Sequence, residues 1–349
     1  MNNWNEYLSS RGARLAQDGS GHVPDFGQSL GVADLAPGFV APVTDQGLIA
    51  VTGDDAAGFL HNQLTNDVEH LGPAEARLAG YCTPKGRLQA TFLMWRSSES
   101  VFLQLARELQ PALQKRLSMF VLRAKAKLAD VGTGQVLLGI GGAAAEGTLT
   151  PLFGALPPTP YSRIDHPLGT LIRVADAFGS ARYQWLTTPA AAQMAWPALA
   201  AALRPAGTDA WRLAEIHAGV PQITLRTQEQ FVPQMVNLEL LGGVNFKKGC
   251  YPGQEIVARS QYLGKLKRRT ALAAIDAPAQ AGDEVFAVDD PDQPCGMIVN
   301  SAPNGSGGVD ALVEMKLAAL EQGDMRLGSA SGVPLRLLPM PYALDALDL

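Results

Sequence analysis

Phe246-Lys247-Lys248-Gly249-Cys250-Tyr251-Pro252-Gly253-Gln254-Glu255-Ile256-Val257-Ala258-Arg259 concentrates a cysteine, two lysines, two glycines, a proline, an amide, a carboxylate and an arginine in fourteen residues. Cys250 is its chemical centre. Cations beside a thiol favour the thiolate, so Lys247 and Lys248 would make Cys250 more nucleophilic if they fold next to it. Pro252-Gly253 is a turn pair, and the spacing after it predicts a helix opening at Gln254, whose free N–H groups suit an anion or the polar edge of a ligand. The structural alternative is that Cys250 is an ordinary small buried hydrophobe, but its neighbours are polar and turn-forming.

Around this stretch the chain reads as globular. It has 349 residues, 47% hydrophobic and 17% charged, which excludes global disorder and predicts two or three domains. A net charge of -5 and a pI near 5.6 argue against coating nucleic acid by bulk charge, while leaving room for a local basic patch. The first residues lack a basic region followed by an apolar run, and the richest apolar segment, Ala190 to Leu203, is broken by Gln193 and Pro197. A soluble, cytoplasmic protein is expected. Cys82, Cys250 and Cys295 lie far apart, so no disulfide framework or metal site is legible from spacing.

Residues 1 to about 30 read as a polar, loosely ordered lead-in with at most a short helix. Then come a strand at Gly47 to Val51 and a helix capped by Asp54 and running to about Leu64. Strands follow at Ala76 to Cys82, Leu88 to Trp95 and Val101 to Leu105, then a helix from Arg107 to Phe120. Alternation over Val121 to Leu128 predicts a strand with a basic face of Arg123, Lys125 and Lys127. A second cycle has strands at Gln135 to Ile140, Leu168 to Val174 and Arg182 to Leu186, one helical turn at Gly142 to Gly147, and helices over Ala190 to Leu203 and from Thr208 or Asp209 to Gly219. Beyond Thr270 short apolar runs divided by Gly, Pro, Asp and Asn predict a small β-barrel. The fold class expected is α+β, two similar halves plus the barrel, with the quoted stretch at the joint where pockets commonly form.

Gly139-Ile140-Gly141-Gly142-Ala143-Ala144 imitates a dinucleotide fingerprint, yet the helix after it is too short for a crossover between parallel strands. His217 stands on a mostly apolar helix, where a histidine is more often structural than functional. Gln254 and Glu255 can hydrogen-bond a heterocycle edge-on or serve as ordinary capping groups. The cluster Lys265 to Arg269 could meet phosphate or an acidic tail, although most such clusters are merely solvated.

The runs Phe231-Val232-Pro233-Gln234-Met235-Val236-Asn237-Leu238-Glu239, Gly242-Gly243-Val244-Asn245-Phe246 and Lys248-Gly249-Cys250-Tyr251-Pro252-Gly253-Gln254-Glu255 resemble the signature of the YgfZ folate-binding family, relatives of the glycine cleavage aminomethyltransferase (T-protein). Phe59 to Val68 and Tyr81 to Arg87 agree with it. The resemblance implies two α+β domains around a central folate site, a C-terminal barrel, tetrahydrofolate binding, and a role in iron–sulfur cluster assembly or repair felt in tRNA thiolation. It also implies that Lys248 and Cys250 carry the chemistry, with Tyr251, Gly253, Gln254, Glu255 and, on its helix, His217 at the folate site. The expected boundaries are a lead-in at 1–30, a folate-binding core at 31–245 with an inner part at about 53–130, the signature loop and helix at 246–269, and the barrel at 270–349. Partners would be folate and iron–sulfur assembly or client proteins, with tRNA contact through the basic patches as a further option.

Two departures from the aminomethyltransferases stand out. Lys85-Gly86-Arg87-Leu88-Gln89-Ala90 lacks the catalytic aspartate those enzymes carry, and His217-Ala218-Gly219 replaces a glutamate before Ala-Gly. A neutral imidazole has one acceptor and cannot reproduce the two-point grip of a carboxylate on an aminopterin edge. The alternatives are therefore a folate-dependent aminomethyltransferase or demethylase, and a tRNA-binding module.

Overall fold

The computed structural model describes residues 2–262 and 266–344, which form three sheets with helices packed between and outside them. The first sheet orders Ala76–Cys82, Leu88–Arg96, Ser100–Ala106, Gln46–Thr52 and Lys127–Asp130, all antiparallel. Leu88–Arg96 is buried along nearly its whole length, as expected of a strand covered on both faces. The second sheet orders Arg204–Pro205, Phe39–Pro42, Val136–Gly141, Ser180–Thr187, Gly169–Ala177 and Arg163–His166. Phe39–Pro42, from the N-terminal part of the chain, thus pairs in the second sheet, while Gln46–Thr52 three residues later belongs to the first.

The C-terminal sheet is six-stranded and antiparallel, in the order Met325–Leu327, Glu284–Ala287, Asp290–Pro303, Val309–Lys316, Arg268–Ile275 and Leu335–Leu338. Its two ends approach through a single bridge, Arg326 to Pro334, and a Leu327 N–H donated to the Val333 carbonyl at 2.9 Å. The expected barrel is therefore seen as a curled half-barrel whose seam lacks a continuous ladder.

Four expectations need correction. The basic strand over Val121 to Leu128 does not form: Leu122 has φ 47, and regular pairing starts at Lys127. Asp55 accepts the Lys125 N–H at 2.7 Å and Lys125 Nζ sits 3.3 Å from Asp54, so turn contacts displace the ladder. The same contact occupies the Asp55 side chain, and the following helix runs only Ala56–His61 with no side-chain cap. The single turn at Gly142 to Gly147 is instead a helix, Ala145–Phe153, with Pro151 inside it. Residues near the start are docked rather than loose: Asn2–Ser10 is helical, Leu8 is fully buried, and Trp4 stacks on Tyr7 and meets Trp196 edge-on.

The dinucleotide imitation is explained by packing. Val136–Gly141 is antiparallel to both its neighbours, and a side chain at Gly139 would run into the Trp211 indole.

Candidate functional site: a central cavity and an exposed thiol loop

A cavity of about 320 Å³ opens where the three sheets converge. Thr91, Phe92 and Gln104 line it from the first sheet, Val174 and Gln184 from the second, and Asn300 and Ser301 from the C-terminal sheet. The helix Thr208–His217 contributes Trp211, Arg212, Glu215 and Ile216, the i, i+1, i+4, i+5 positions of one helical face. That volume is within the range of small-molecule sites.

The polar groups of the wall are held in place. Arg182 is fully buried, lies over the Trp211 ring at 4.7 Å, donates Nε to the Ala175 carbonyl at 2.8 Å and Nη1 to Glu215 Oε1 at 2.9 Å. Arg212 donates Nε to Asp45 at 2.7 Å, and that carboxylate holds the guanidinium firmly charged. Among the described residues, two buried polar atoms that line the cavity have no hydrogen-bond partner, the Tyr161 hydroxyl and Gln184 Oε1, as is also true of Nη2 of Arg182. Burial and the nearby Glu215 charge push the Tyr161 phenol up, so it stays a proton donor. An unpaired donor and an unpaired acceptor buried together cost free energy that a ligand with complementary groups would recover.

His217 lies off this wall. Its Nε2 is 2.7 Å from Asp310 Oδ2 on Val309–Lys316, and its ring packs on Phe178. The cavity carboxylates are Glu215, two residues earlier, and Glu108, which accepts the Leu225 N–H at 2.8 Å. The stretch Lys85 to Ala90 indeed offers no carboxylate; Gln89 there donates Nε2 to Glu229 at 2.9 Å.

The signature loop forms a second place, apart from the cavity lining. Lys248 donates Nζ to the carbonyls of His61 and Leu64, the latter at 2.9 Å, and sits 4.8 Å from the Tyr251 ring centroid. Burial pulls its pKa down to about 8, against the charges of Asp67, Cys250 and Glu69, which raise it. Cys250 is exposed, whereas Cys82 and Cys295 are buried. Tyr251 is buried, its phenol pushed up by burial and by Cys82.

Gly253 has φ +81, and a Cβ there would come within 2.7 Å of the Gly86 backbone. A glycine here lets the loop close on the turn between two strands of the first sheet. Gln254 and Glu255 start the helix Gln254–Tyr262, where Gln254 Nε2 reaches the Lys248 carbonyl at 3.5 Å and Glu255 is exposed.

The first run of the signature is a clamp. Asn237, fully buried at φ 57, donates to the Thr270 carbonyl at 2.8 Å; Thr270 Oγ1 donates to the Met235 carbonyl at 2.9 Å; and Arg269 pairs with Glu239, both nearly sealed from solvent. Of the basic cluster, Arg268 pairs with Glu314 and Arg269 with Glu239, while Lys265 lies outside the described residues. Among the described residues no group of three or more His, Cys, Asp or Glu side chains is arranged to hold a metal ion. No described helix is long and apolar enough to cross a membrane.

Sequence reading missed Tyr161, Gln184, Glu215 and His61. Helical spacing puts Trp211 and Glu215 on one face, but which face meets the cavity is set only by folding, and the others come from distant strands and turns.

The chain is similar to proteins named tRNA-modifying protein YgfZ. The relative from Edwardsiella ictaluri (strain 93-146) is 30% identical over 303 residues, spanning 85% of this chain and 90% of that one. The one from Photorhabdus laumondii subsp. laumondii is 29% identical over 305 residues, spanning 86% and 91%. Among solved structures, the glycine cleavage system aminomethyltransferase T from Bartonella henselae superposes with a TM-score of 0.76 over 97% of this chain and 96% of that chain, at 17% identity, a likeness of fold. No protein-family model matches the chain.

Proposed function

Since the chain belongs to the family of the tRNA-modifying protein YgfZ, we propose that it is a cytoplasmic tetrahydrofolate-binding accessory protein that supports iron–sulfur cluster assembly or repair, and through it tRNA thiolation. The observation that carries the folate reading is the pair of buried, unpartnered groups on the cavity wall, the Tyr161 hydroxyl and Gln184 Oε1. A pterin edge presents ring N–H and amino donors beside a carbonyl acceptor. Gln184 Oε1 and Glu215 match the donors, and the Tyr161 hydroxyl matches the carbonyl. Glu215 spends one oxygen on Arg182, and its other oxygen has no hydrogen bond among the described residues. A carboxylate is thus available without the one replaced by His217.

Cys250 would be the reactive group of the accessory role. One thiolate cannot hold a cluster that normally takes four, so any iron bound there would share ligands with a partner protein. The aminomethyltransferase alternative has the fold in its favour and lacks a carboxylate over residues 85–90. Calorimetric titration of tetrahydrofolate into wild type, Tyr161→Phe and Glu215→Gln tests the folate reading. Each variant should bind about tenfold more weakly, the loss of roughly one buried hydrogen bond. Wild-type protein that takes up no folate, or variants that bind as wild type does, would remove the cavity as a folate site. Activity of an iron–sulfur client enzyme undiminished in cells carrying Cys250→Ala would remove the assigned role of the thiol.

A further inference from the structure

The helix Gln110–Met119 turns Leu113 and Leu117 inward and ends in a tight turn rather than a strand. The Phe120 N–H bonds back to the Leu117 carbonyl at 3.0 Å, and the Ala124 N–H to the Val121 carbonyl at 2.8 Å. The turn is fastened to the fold on its far side, where the Asp55 N–H reaches the Lys125 carbonyl at 3.1 Å and the Asp55 side chain accepts the Lys125 N–H. Val121, Ala126 and Leu128 pack on the core, while Met119, Phe120 and Leu122 are exposed by 61%, 46% and 87%. Leu122 is the most exposed large hydrophobic side chain among the described residues, and it stands with two others within four positions.

The backbone makes Leu122 more unusual. At φ 47 it lies in the left-handed region, which is costly for a residue with a bulky side chain and cheap for Asn or Gly. Folding alone would favour a small polar residue at this tip. The charge around it has one sign: from Leu109 to Ala129 the chain carries Lys115, Arg116, Arg123, Lys125 and Lys127 and no acidic residue, in a protein of net charge -5. Lys125 is paired with Asp54 across the turn, and the Arg116 guanidinium lies over the Phe120 ring, 5.9 Å from its centroid. Lys115, Arg123 and Lys127 are exposed and have no ion pair among the described residues.

We propose that this turn is a docking surface for an anionic lipid bilayer, with Met119, Phe120 and Leu122 entering the interface and the free cations meeting lipid phosphates. A bilayer interface takes apolar tips and flanking cations together: the cations draw an acidic protein to the surface, and the tips hold it there. A projecting turn suits a bilayer better than it suits a partner helix, which needs a groove. Nucleic acid would call for open aromatic faces, and the one aromatic ring here already has a guanidinium over it. The attachment is peripheral and reversible, since three side chains bury far less apolar surface than a spanning helix does. It is independent of the folate and thiol assignments above and can fail while they hold.

The test is co-sedimentation of the full chain with vesicles of phosphatidylcholine alone and of phosphatidylcholine with about a third phosphatidylglycerol. Wild type should pellet with the second and not with the first, and high salt should weaken the association. Leu122→Asn should reduce binding about tenfold and Arg123→Gln about fivefold, the loss of one apolar tip and of one surface cation. Neither should lower the urea midpoint, because both positions are exposed and Asn tolerates the left-handed backbone better than Leu does. The five native tryptophans are all buried, so Leu122→Trp adds the one indole open to iodide quenching, and anionic vesicles should shield it. Absence of pelleting overturns the proposal. So does pelleting that Arg123→Gln weakens and Leu122→Asn leaves unchanged, which would be charge attraction without insertion. Polyuridylate retained by wild type and lost by Arg123→Gln, with no lipid binding, would give the surface to nucleic acid instead.

Discussion

Lys248 is a charge held among carbonyl oxygens at a half-buried site, and burial sets its behaviour with pH. Its folded pKa, about 8, lies below the ordinary value of 10.5. Below about 8 the lysine is protonated in both states and the folded protein carries the full cost of burying it. Between about 8 and 10.5 the unfolded chain binds more protons than the folded one, so stability rises with pH relative to a chain lacking this group. Urea midpoints of wild type and Lys248→Met, taken near pH 7 and again near pH 10, should show wild type gaining on the variant. Partial exposure makes the gain modest. Equal displacement of both proteins would show that Lys248 is not desolvated. At this scale the nearness of Lys248 to Cys250 along the chain is plain, because both sit in one short motif, whereas the carbonyls that hold Lys248 come from His61 and Leu64. The sequence could not display His61, whose approach to Gly249 depends on a turn nearly two hundred residues earlier, or favour Glu215 over His217, because helix phase relative to the cavity is a tertiary fact.

Among elements, the loop and the C-terminal sheet are joined by groups that tolerate little change. Arg269 on Arg268–Ile275 reaches Glu239 and the Gln234 carbonyl at 2.9 Å, and burial raises the Glu239 carboxyl while Arg269 lowers it. Arg269→Met strands the carboxylate and should cost about 3–5 kcal/mol in denaturant unfolding. A cost under about 0.5 kcal/mol, typical of a surface change, would mean the pair is solvated. Gly253→Ala should cost at least about 1–2 kcal/mol from its left-handed backbone alone, before the encounter with Gly86 is counted. Strand positions were largely legible, because Ala76–Cys82 and Leu335–Leu338 are bounded by turn residues and carry apolar runs. The alternation at Val121 to Leu128 misled because the two aspartates at the start of a helix seventy residues earlier capture Lys125. Phe39–Pro42 and Arg204–Pro205 escaped because such short strands exist only through non-local pairing.

Over the whole molecule, the three sheets surround the central cavity, and the first residues of the chain wall a smaller hollow beside it. Gln46 and Gln104 line both the central cavity and a smaller hollow whose other side is formed by Trp4, Asn5, Ser20 and Gly21. The lead-in is therefore a wall next to the cavity, seated through Trp4 on Trp196, with Phe26 stacked on the same indole. Trp196 belongs to the helix Pro189–Ala202 that covers the second sheet, so the N-terminal segment and that sheet share a core. Composition hid this: the segment is rich in Gly, Ser and Asn, and its few anchors, Trp4, Leu8 and Val23, are spread over twenty residues. If the wall is structural, Trp4→Ala should destabilise the protein by about 3–5 kcal/mol, the range for emptying a buried aromatic site. The same variant should weaken tetrahydrofolate binding, because the strand carrying Gln46 would lose its support. An independent tail gives the opposite result, a change under about 0.5 kcal/mol with affinity untouched, and measuring unfolding and titration on one sample separates the two.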